Sequence, residues 1–370
     1  MIINAKPYPK IKDIFFKSFF YNTENISFYP SGRIALLSGL INLGVRKGDS
    51  IIIPAYMCNS SIKPLQAFGF NIIFIDVDKN LDLLVTEVMK VLKINKSIKA
   101  LLVVHYFGFT RNIDELVKIC QSFKVKVIED ASHSFMSQLN RNKKSIKGNL
   151  EIFSMRKSLP IIDGGALRIN KGAKDITPVC NKNCISKIAD VGYLLTRFLE
   201  KFLTKLGINI YGKFINSLKT KIQSNKNYKI YNLDVKACKA SWLLKKYLGN
   251  KIYLKDAQKK ILTNFNQLNH ELLKMGFKLI FKVFNDNIVP QACVFYDNKG
   301  GLVEYLRSNG IGAWRWPDEE IPEEVIQNYS QYPNAIFFDK KLVIVPIHQN
   351  IAHSECNYII RVLKKWKISN

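Results

Sequence analysis

The chain has 370 residues, enough to bury a large core and to divide into two lobes. Its apolar fraction of 47%, with 12 prolines and 19 glycines, is typical of a globular protein and argues against low complexity. The net charge of +27 suggests a nucleic-acid partner, but the 56 basic residues are spread along the chain without a basic tail. We therefore expect no nucleic-acid binding and leave open an attraction to anionic substrates or to a membrane surface.

Neither a membrane span nor a secretion signal is expected. The longest apolar runs, such as ALLVV after Lys99, are far shorter than the roughly 20 residues of a membrane helix. The first residues, MIINAKPYPKIKDIFF, lack the apolar core of a signal peptide. The seven cysteines are scattered without CxxC spacing, and Cys180 and Cys184 have no nearby histidine. These features predict a reduced, cytoplasmic protein without a bound metal.

The first predicted element is a helix that follows a glycine-containing turn. In YPSGRIALLSGL (29–40), Ser31, Gly32 and Arg33 precede an Ala/Leu-rich stretch. A helix that begins this way favours an anion at its N-terminus, because the first amides lack partners there and the helix dipole is positive.

Strand-like runs then alternate with amphipathic stretches through the first half of the chain. The runs are SIIIPAY, NIIFIDV, KALLVVHYFG, VKVIEDA and FSM, and NIDELVKICQSF lies between the third and fourth. This alternation predicts an α/β fold with a mostly parallel sheet. Ligands of such sheets bind beyond the carboxyl ends of the strands, where polar side chains follow each run: Tyr56, Cys58, His105, Tyr106, Asp130, His133, Ser154 and Lys157.

Two of these residues indicate a particular chemistry. Desolvation favours the neutral amine of a lysine such as Lys157, which can then form a Schiff base. Asp130, at the end of another buried strand, would hold a pyridine nitrogen protonated. Pyridoxal 5'-phosphate (PLP) is the cofactor that needs both partners.

The residues also resemble a known family, the DegT/DnrJ/EryC1/StrS sugar aminotransferases, which have the aspartate-aminotransferase fold (PLP fold type I). The resemblance runs in family order through SGRIALLSGL, GVRKGDSIIIPAY, GFNIIFIDVD, VVHYFGF, VIEDASHS, FSMRKSLPIIDGGAL and VPIHQN. It covers nearly all of residues 25–170 and is patchier beyond them.

The resemblance implies roles for individual residues. Lys157 matches the lysine that binds the cofactor covalently, the alternative being a surface lysine. Asp130 matches the aspartate that pairs with the ring nitrogen, or else caps a helix. His133 lies where the family commonly has a glutamine that contacts the phenolic oxygen of the ring, and an imidazole N–H would donate the same bond. A satisfied polar histidine is the alternative for His133.

The remaining cofactor contacts are also implied by the resemblance. The phosphate would bind the amides of Gly32 and Arg33 and the hydroxyl of Ser154. Asn232, in YNLDVKACKAS, matches an asparagine that reaches the partner's phosphate in a homodimer, unless it is an ordinary loop residue.

Two departures from the family pattern concern the turn and the stacking ring. The step from Ser154 to Lys157 is two residues shorter than usual, so the turn must be tighter. Where the family stacks an aromatic ring on the cofactor, PAYMCNSS offers Cys58, with Tyr56 as the substitute ring or as a buried structural residue.

The C-terminal half is predicted to form a smaller domain. We expect a large PLP-binding domain over 1–245 and a smaller α+β domain over 246–370, with a long helix from YLKDAQKKIL and strands at QACVFY and KLVIVPI. Residues 186–225 carry amphipathic helical patterns, which indicate a helix packed on the large lobe or a membrane or partner contact. By family likeness, the substrate candidates are Trp314, Arg315, Trp316 and His348.

The function implied by the resemblance is transfer of an amino group from an amino acid, usually glutamate, to a keto-sugar, usually nucleotide-linked, as in surface polysaccharide biosynthesis. Three alternatives stay open. They are a dehydratase of the same fold, which has histidine in place of the lysine, a catalytically idle scaffold protein, and a basic nucleic-acid-binding protein.

Overall fold

The computed structural model of the chain describes residues 1–10, 26–139, 147–170, 186–205, 236–281, 287–317 and 321–369. Asn232 lies outside these residues, so its role stays a prediction.

A seven-stranded sheet forms the centre of the N-terminal part. Its spatial order is β1-β7-β6-β5-β4-β2-β3. The strands are β1 (Ile26–Tyr29), β2 (Ser50–Pro54), β3 (Asn71–Ile75), β4 (Ile98–Val104), β5 (Lys126–Asp130), β6 (Leu150–Ser154) and β7 (Gly165–Ile169). Strands β2 to β6 pair in parallel, and β7 runs antiparallel to both β6 and β1. The predicted mostly parallel α/β sheet is therefore confirmed.

Helices cover both faces of this sheet. They are α1 (Gly32–Asn42), α2 (Asn59–Phe68), α3 (Val85–Ile94), α4 (Asp114–Ser122), the short α5 (Phe135–Gln138), α6 (Lys187–Lys205) and α7 (Trp242–Leu248). The larger core cluster contains α1, which is buried along nearly its whole length because its Ala/Leu-rich sequence is apolar on all sides. A smaller cluster lies under α3 and α4 on the opposite face.

The C-terminal part contains a second, two-stranded antiparallel sheet. It consists of β8 (Ala292–Tyr296) and β9 (Leu342–Pro346), at the predicted positions. Its helices are α8 (Lys251–Lys274), α9 (Leu302–Ser308), α10 (Glu323–Gln327), α11 (Pro333–Lys341) and α12 (His353–Ser369). The N-terminal residues also pack here, since the Ile3 amide donates to the Gly310 carbonyl at 2.8 Å. The predicted boundary between 245 and 246 stays a prediction.

The expectation of a fully reduced chain is wrong for one residue. Cys238 is disulfide-bonded, whereas Cys58, Cys120, Cys293 and Cys356 are free thiols.

Within the described ranges, no helix is both long and apolar enough to span a membrane.

Candidate active site

The N-terminus of α1 lies against the end of β6. A Cβ atom on Gly32 would come within 3.1 Å of the Ser154 Cβ, 3.2 Å of the Phe153 carbonyl oxygen and 3.4 Å of the Ser132 Oγ. The first turn of α1 carries no acidic side chain. Two hydroxyl groups, those of Ser132 and Ser154, therefore lie beside the positive end of a helix, which is an arrangement that favours an anion. Sequence reasoning missed Ser132, although it lies within the quoted VIEDASHS motif.

A pair of glycines lets β7 pass this helix start. Gly165 pairs in register with Ser154, and a Cβ on Gly165 would lie 2.3 Å from the carbonyl carbon of Ser31. Gly164 has a φ of +99°, a conformation that favours glycine. The close approach of backbone to backbone holds β6, β7 and the start of α1 together.

Asp130 ends β5, on the strand next to β6. Its side chain is buried, and Oδ1 accepts the Ser132 amide at 2.8 Å. Its carbonyl accepts the His105 amide at 3.0 Å. Because Asp130 pairs in register with Ile152, its carboxylate lies two residues short of the end of β6. Hydrogen bonds thus hold both the carboxylate and the backbone carbonyl of Asp130 near the start of α1.

A buried hydrogen-bonded pair, His105 and Glu129, lies behind Asp130, on the opposite face of the sheet. The His105 ring accepts the Arg111 amide at Nδ1 (3.1 Å), so the neutral ring carries its proton on Nε2, 2.9 Å from a Glu129 oxygen. The other Glu129 oxygen accepts the Gly148 amide at 2.7 Å. Burial alone would raise the pKa of Glu129, but the hydrogen bond and electrostatic effect of His105 and the hydrogen bonds from the backbone amides outweigh it and lower the pKa. The Glu129 carboxylate therefore ties together the ends of β4 and β5 and the start of β6.

His133 is held as a neutral hydrogen-bond donor. Its Nδ1 accepts the Phe107 amide at 3.2 Å, and Phe107 takes the uncommon φ of +53°. Burial lowers the pKa of His133 well below its ordinary value, and the charge of Lys157 lowers it further. The ring is therefore neutral with its proton on Nε2, which is the N–H donor that the predicted role requires.

Lys157 lies in a 3-10 turn, Met155–Lys157, that follows β6 directly, and its side chain is half-buried. A 3-10 turn is tighter than an α-helical one, in agreement with the short step from Ser154 to Lys157. The structure thus brings together Gly32, Asp130, His133, Ser154 and Lys157 at the carboxyl ends of β5 and β6.

Aromatic side chains line one side of this region. The Trp316 ring is edge-on to His133 at 5.1 Å and to Tyr56 at 4.8 Å, and the Tyr56 hydroxyl donates to the Trp316 carbonyl at 2.5 Å. Tyr56 is 0% exposed, with the rings of Tyr106 and Phe338 also against it. An enclosed ring has no free face for a cofactor, so the geometry supports the buried structural alternative for Tyr56.

Cys58 precedes α2 and is half-buried. Its Sγ lies 3.1 Å from the Ser61 Oγ. Its place beside a cofactor ring therefore stays a prediction.

The other C-terminal candidates have their own partners. Arg315 forms a two-pronged ion pair with Glu304 of α9, at 2.7 and 3.3 Å. Trp314 pairs through its backbone with Ile344 of β9. His348 bonds the Asn4 carbonyl at 2.9 Å, and burial lowers its pKa to about 4.

Gln349, the neighbour of His348, reaches the site instead. Its Nε2 donates to the Ser158 carbonyl at 3.1 Å and to the Tyr253 hydroxyl at 3.0 Å. Its buried Oε1 has no hydrogen-bond partner within the described part of the chain. Two residues of the C-terminal segments therefore lie at the site: Trp316 packs against His133, and Gln349 contacts Ser158, the neighbour of Lys157. The position of Gln349 beside His348 in VPIHQN was the only signal for it in the sequence.

Comparison with known proteins bears on the same region. The model of the DegT/DnrJ/EryC1/StrS aminotransferase family matches residues 16–185, the segment that carries Gly32, Asp130, His133, Ser154 and Lys157. The match covers 170 of the 370 residues, a little under half of the chain. The resemblance predicted from the motifs is confirmed.

The curated relatives match over part of their length. A GDP-perosamine synthase from Escherichia coli O157:H7 is 27% identical over 143 residues, which are 38% of this chain and 39% of that protein. A GDP-4-keto-6-deoxy-D-mannose 3-dehydratase from Yersinia pseudotuberculosis is 31% identical over 112 residues, 30% of this chain and 28% of that protein. The chain thus aligns with about two fifths or less of these relatives.

A solved structure confirms the fold. The PLP form of the putative sugar aminotransferase Spr1654 from Streptococcus pneumoniae superposes with a TM-score of 0.67 at 13% identity, over 100% of this chain and 99% of that one. The predicted PLP fold type I is therefore confirmed.

The residues present fit PLP, the cofactor of this family. The start of α1 with Ser132 and Ser154 suits its phosphate, the buried Asp130 carboxylate suits its ring nitrogen, and the Lys157 amine suits its aldehyde. The N–H of His133 supplies the remaining donor, for the ring oxygen. Each chemical group of PLP therefore has a complementary side chain or helix end in this region.

Proposed function

We propose that the protein is a PLP-dependent aminotransferase that moves an amino group from an amino acid, glutamate in our proposal, to a nucleotide-linked keto-sugar. The observation that carries the proposal is the grouping of Asp130, neutral His133 and Lys157 beside the anion-binding start of α1. The printed name of the E. coli relative, a GDP-perosamine synthase, supports a nucleotide-linked sugar as the acceptor.

Lys157, Asp130 and His133 would each have a separate role in catalysis. PLP, when bound, supplies the electron sink for breaking the Cα–H bond of the donor. Lys157 would hold the cofactor and, once released, move the proton from the donor carbon, since its amine is close enough to the buried His133 ring for its charge to lower the pKa of His133. Asp130 would keep the ring nitrogen protonated, because its position is fixed by two backbone hydrogen bonds. His133 would hold the ring oxygen without competing for the proton, since its ring stays neutral.

The dehydratase alternative is less well supported. The family resemblance gives the dehydratases a histidine at the lysine position, whereas this chain has Lys157 there. The idle-scaffold alternative predicts a bound cofactor that no amino donor converts. We also propose that the protein is a homodimer in which Asn232 contacts the partner's cofactor phosphate, as the resemblance implies.

The test is the half-reaction with glutamate, followed by stopped-flow absorbance of the bound cofactor. Asp130→Asn should keep the cofactor on Lys157 but slow the half-reaction about a hundredfold or more, because an amide cannot stabilise the charge on the ring nitrogen. Asp114→Asn is the matched control, at the start of α4 where the carboxylate pairs with Lys147 at the surface, and it should react like the wild type. Equal rates for wild type and Asp130→Asn would remove Asp130 from the ring nitrogen. No reaction with any amino acid would favour the scaffold.

The acceptor is tested by mass spectrometry. The protein is incubated with glutamate and GDP-4-keto-6-deoxy-D-mannose, and the sugar product is analysed. An amino-sugar supports the proposal, and a dehydrated keto-sugar without nitrogen supports the dehydratase alternative.

A further inference from the structure

Helix α6 exposes large apolar side chains along one line. The exposed fractions are 85% for Ile188, 41% for Val191, 64% for Leu195, 59% for Leu199 and 59% for Phe202. With 3.6 residues per turn and 1.5 Å per residue, these side chains fall within an arc of roughly 80° and extend over about 21 Å. We call this line the α6 stripe. Its exposed apolar area, on the order of 500 Å², is typical of a surface that binds a protein or a membrane.

The side of α6 that carries the stripe offers little for a protein partner to recognise. Between Ile188 and Phe202, all of which is described, the other exposed residues are Gly192 and Thr196. The Thr196 hydroxyl donates to the Gly192 carbonyl of its own helix at 2.8 Å. A protein interface contains about one hydrogen bond for each 100–200 Å². The acyl layer of a membrane requires none, so this side of α6 suits lipid better than a protein surface.

The acidic side chains of α6 do not oppose contact with an anionic surface. Asp190 is 0% exposed, and its carboxylate accepts the Leu243 amide of α7 at 3.0 Å. Glu200 pairs with Arg197 at 2.5 Å, with both side chains largely buried. Both carboxylates are therefore held by partners within the protein, away from the α6 stripe.

Lysines lie close to the N-terminal end of the stripe, where α7 packs against α6. Residues 236–250, which include α7, contain four lysines and no acidic residue, and Lys236, Lys239 and Lys245 are exposed. The ammonium of the exposed Lys187 lies 5.8 Å from the centre of the Trp242 ring. Lysines and an indole beside an apolar stripe are typical of helices that lie on anionic membranes.

The charge of the chain favours an anionic membrane over a second copy as the partner of this surface. Two copies of net charge +27 repel each other. A membrane with anionic lipids attracts the same charges, and each lysine close to its surface raises the binding constant about fivefold.

We propose that α6 docks on a membrane surface that contains anionic lipids, with the α6 stripe at the acyl boundary and the lysines at the level of the headgroups. A helix in this position buries its apolar side roughly 5–10 Å deep. The helix would lie parallel to the membrane plane, because the five side chains of the stripe share one side. The proposal does not rest on the aminotransferase function.

The first test measures binding to vesicles by flotation. The protein is mixed with phosphatidylcholine vesicles that contain about 30% phosphatidylglycerol, and separately with vesicles of phosphatidylcholine alone. We expect binding to the anionic vesicles and at least about tenfold weaker binding to the neutral ones, because the lysines supply part of the attraction. A protein that does not bind the anionic vesicles would overturn the proposal.

The second test removes apolar surface without changing the charge. Leu195→Ser combined with Leu199→Ser should weaken binding to the anionic vesicles at least about tenfold, because two fewer leucines enter the acyl layer. The matched control is Leu84→Ser combined with Ile94→Ser, at the two ends of α3, where the side chains are 48% and 85% exposed. It should bind like the wild type. Equal binding by all three proteins would show that charge alone attracts the chain, and the proposal would be overturned.

Sedimentation equilibrium without lipid distinguishes a second copy of the chain from a membrane. The variant with serine at 195 and 199 should keep the oligomeric state of the wild type. If it dissociates whereas the control variant does not, another copy covers the stripe and the proposal is wrong. Thermal unfolding of each variant checks that it is folded.

A third test does not depend on loss of binding. Leu195→Cys is labelled with a fluorophore that is sensitive to polarity, and Ile94→Cys is labelled in the same way, so that the native thiols contribute equally to both. The anionic vesicles should shift the emission of the label at 195 to shorter wavelength and leave the label at 94 unchanged. An unchanged emission at 195 in a protein that floats with the vesicles would place the contact elsewhere and contradict the proposal.

Discussion

Replacement of Asp163 by Asn should make the protein more stable at neutral pH. The Asp163 side chain is 0% exposed, its Oδ1 accepts the Ser241 hydroxyl at 3.0 Å, and its buried Oδ2 has no partner within the described residues. Burial raises the pKa from 3.8 to about 6, the charge of Asp190 adds to this rise, and the hydrogen bond from Ser241 opposes it. The carboxylate is therefore less stable in the folded state than in the unfolded chain.

The magnitude follows from proton linkage. Between about pH 4 and pH 6 the folded state still binds a proton that the unfolded state has released, so the free energy of unfolding falls as the pH rises. A pKa difference of about two units corresponds to roughly 3 kcal/mol, all of it lost by pH 7. Asp163→Asn keeps an oxygen acceptor for Ser241 and cannot ionise. It should match the wild type near pH 4 and exceed it by up to about 3 kcal/mol at pH 7.

The assay is urea denaturation of wild type and variant at several pH values from 4 to 7. The exposed Asp256 serves as the control position, since Asp256→Asn should leave the pH dependence unchanged. The difference between Asp163→Asn and wild type should grow with pH across this window. A difference that stays constant from pH 4 to pH 7 would show that the ionised Asp163 is not penalised by burial, and the reasoning would be refuted.

Three further predictions concern the site. Gly32→Ala should weaken PLP binding about tenfold or more in equilibrium dialysis, because the added Cβ would crowd the start of α1 beside Ser132 and Ser154. The control, Gly192→Ala, should bind PLP normally, since its Cβ would meet nothing within 4 Å. Equal affinities would show that the phosphate does not bind at the start of α1. His133→Gln should keep the absorption maximum of the bound cofactor and His133→Leu should shift it, because only glutamine retains an N–H donor; identical spectra would remove His133 from the ring oxygen. Glu129→Ala should lower the free energy of unfolding, measured by urea denaturation, by about 3 kcal/mol, because it leaves the buried donors of His105 and Gly148 unsatisfied. The control, Glu87→Ala on the surface of α3, should change it by less than about 1 kcal/mol. Similar losses in the two variants would contradict the buried hydrogen-bond network.

The sequence predicted the central sheet because local patterns determine it. The five apolar runs quoted in the sequence analysis lie in β2 to β6, since a buried parallel strand needs a continuous apolar run. The roles of the glycine that begins α1 and of the lysine in the turn after β6 could also be predicted, because each lies close to the end of a helix or strand.

Long-range contacts explain what the sequence did not reveal. Nothing local indicates that Arg315 pairs with Glu304, or that Gln349 rather than His348 reaches Ser158. The sequence also did not reveal that α6 exposes large apolar side chains such as Ile188 and Leu195. Periodicity shows that a helix has an apolar side, but it does not show whether that side faces the protein or the solvent. The disulfide of Cys238 also depends on tertiary proximity, which spacing alone does not give.

The most direct test of the proposed active site is to find which residue binds the cofactor. The purified protein, loaded with PLP, is reduced with borohydride, digested and mapped by mass spectrometry. We expect one modified peptide, with the reduced cofactor on Lys157, and no modification in Lys157→Ala. A reduced cofactor on any other lysine, or none at all in a protein that retains bound PLP, would contradict the proposed site.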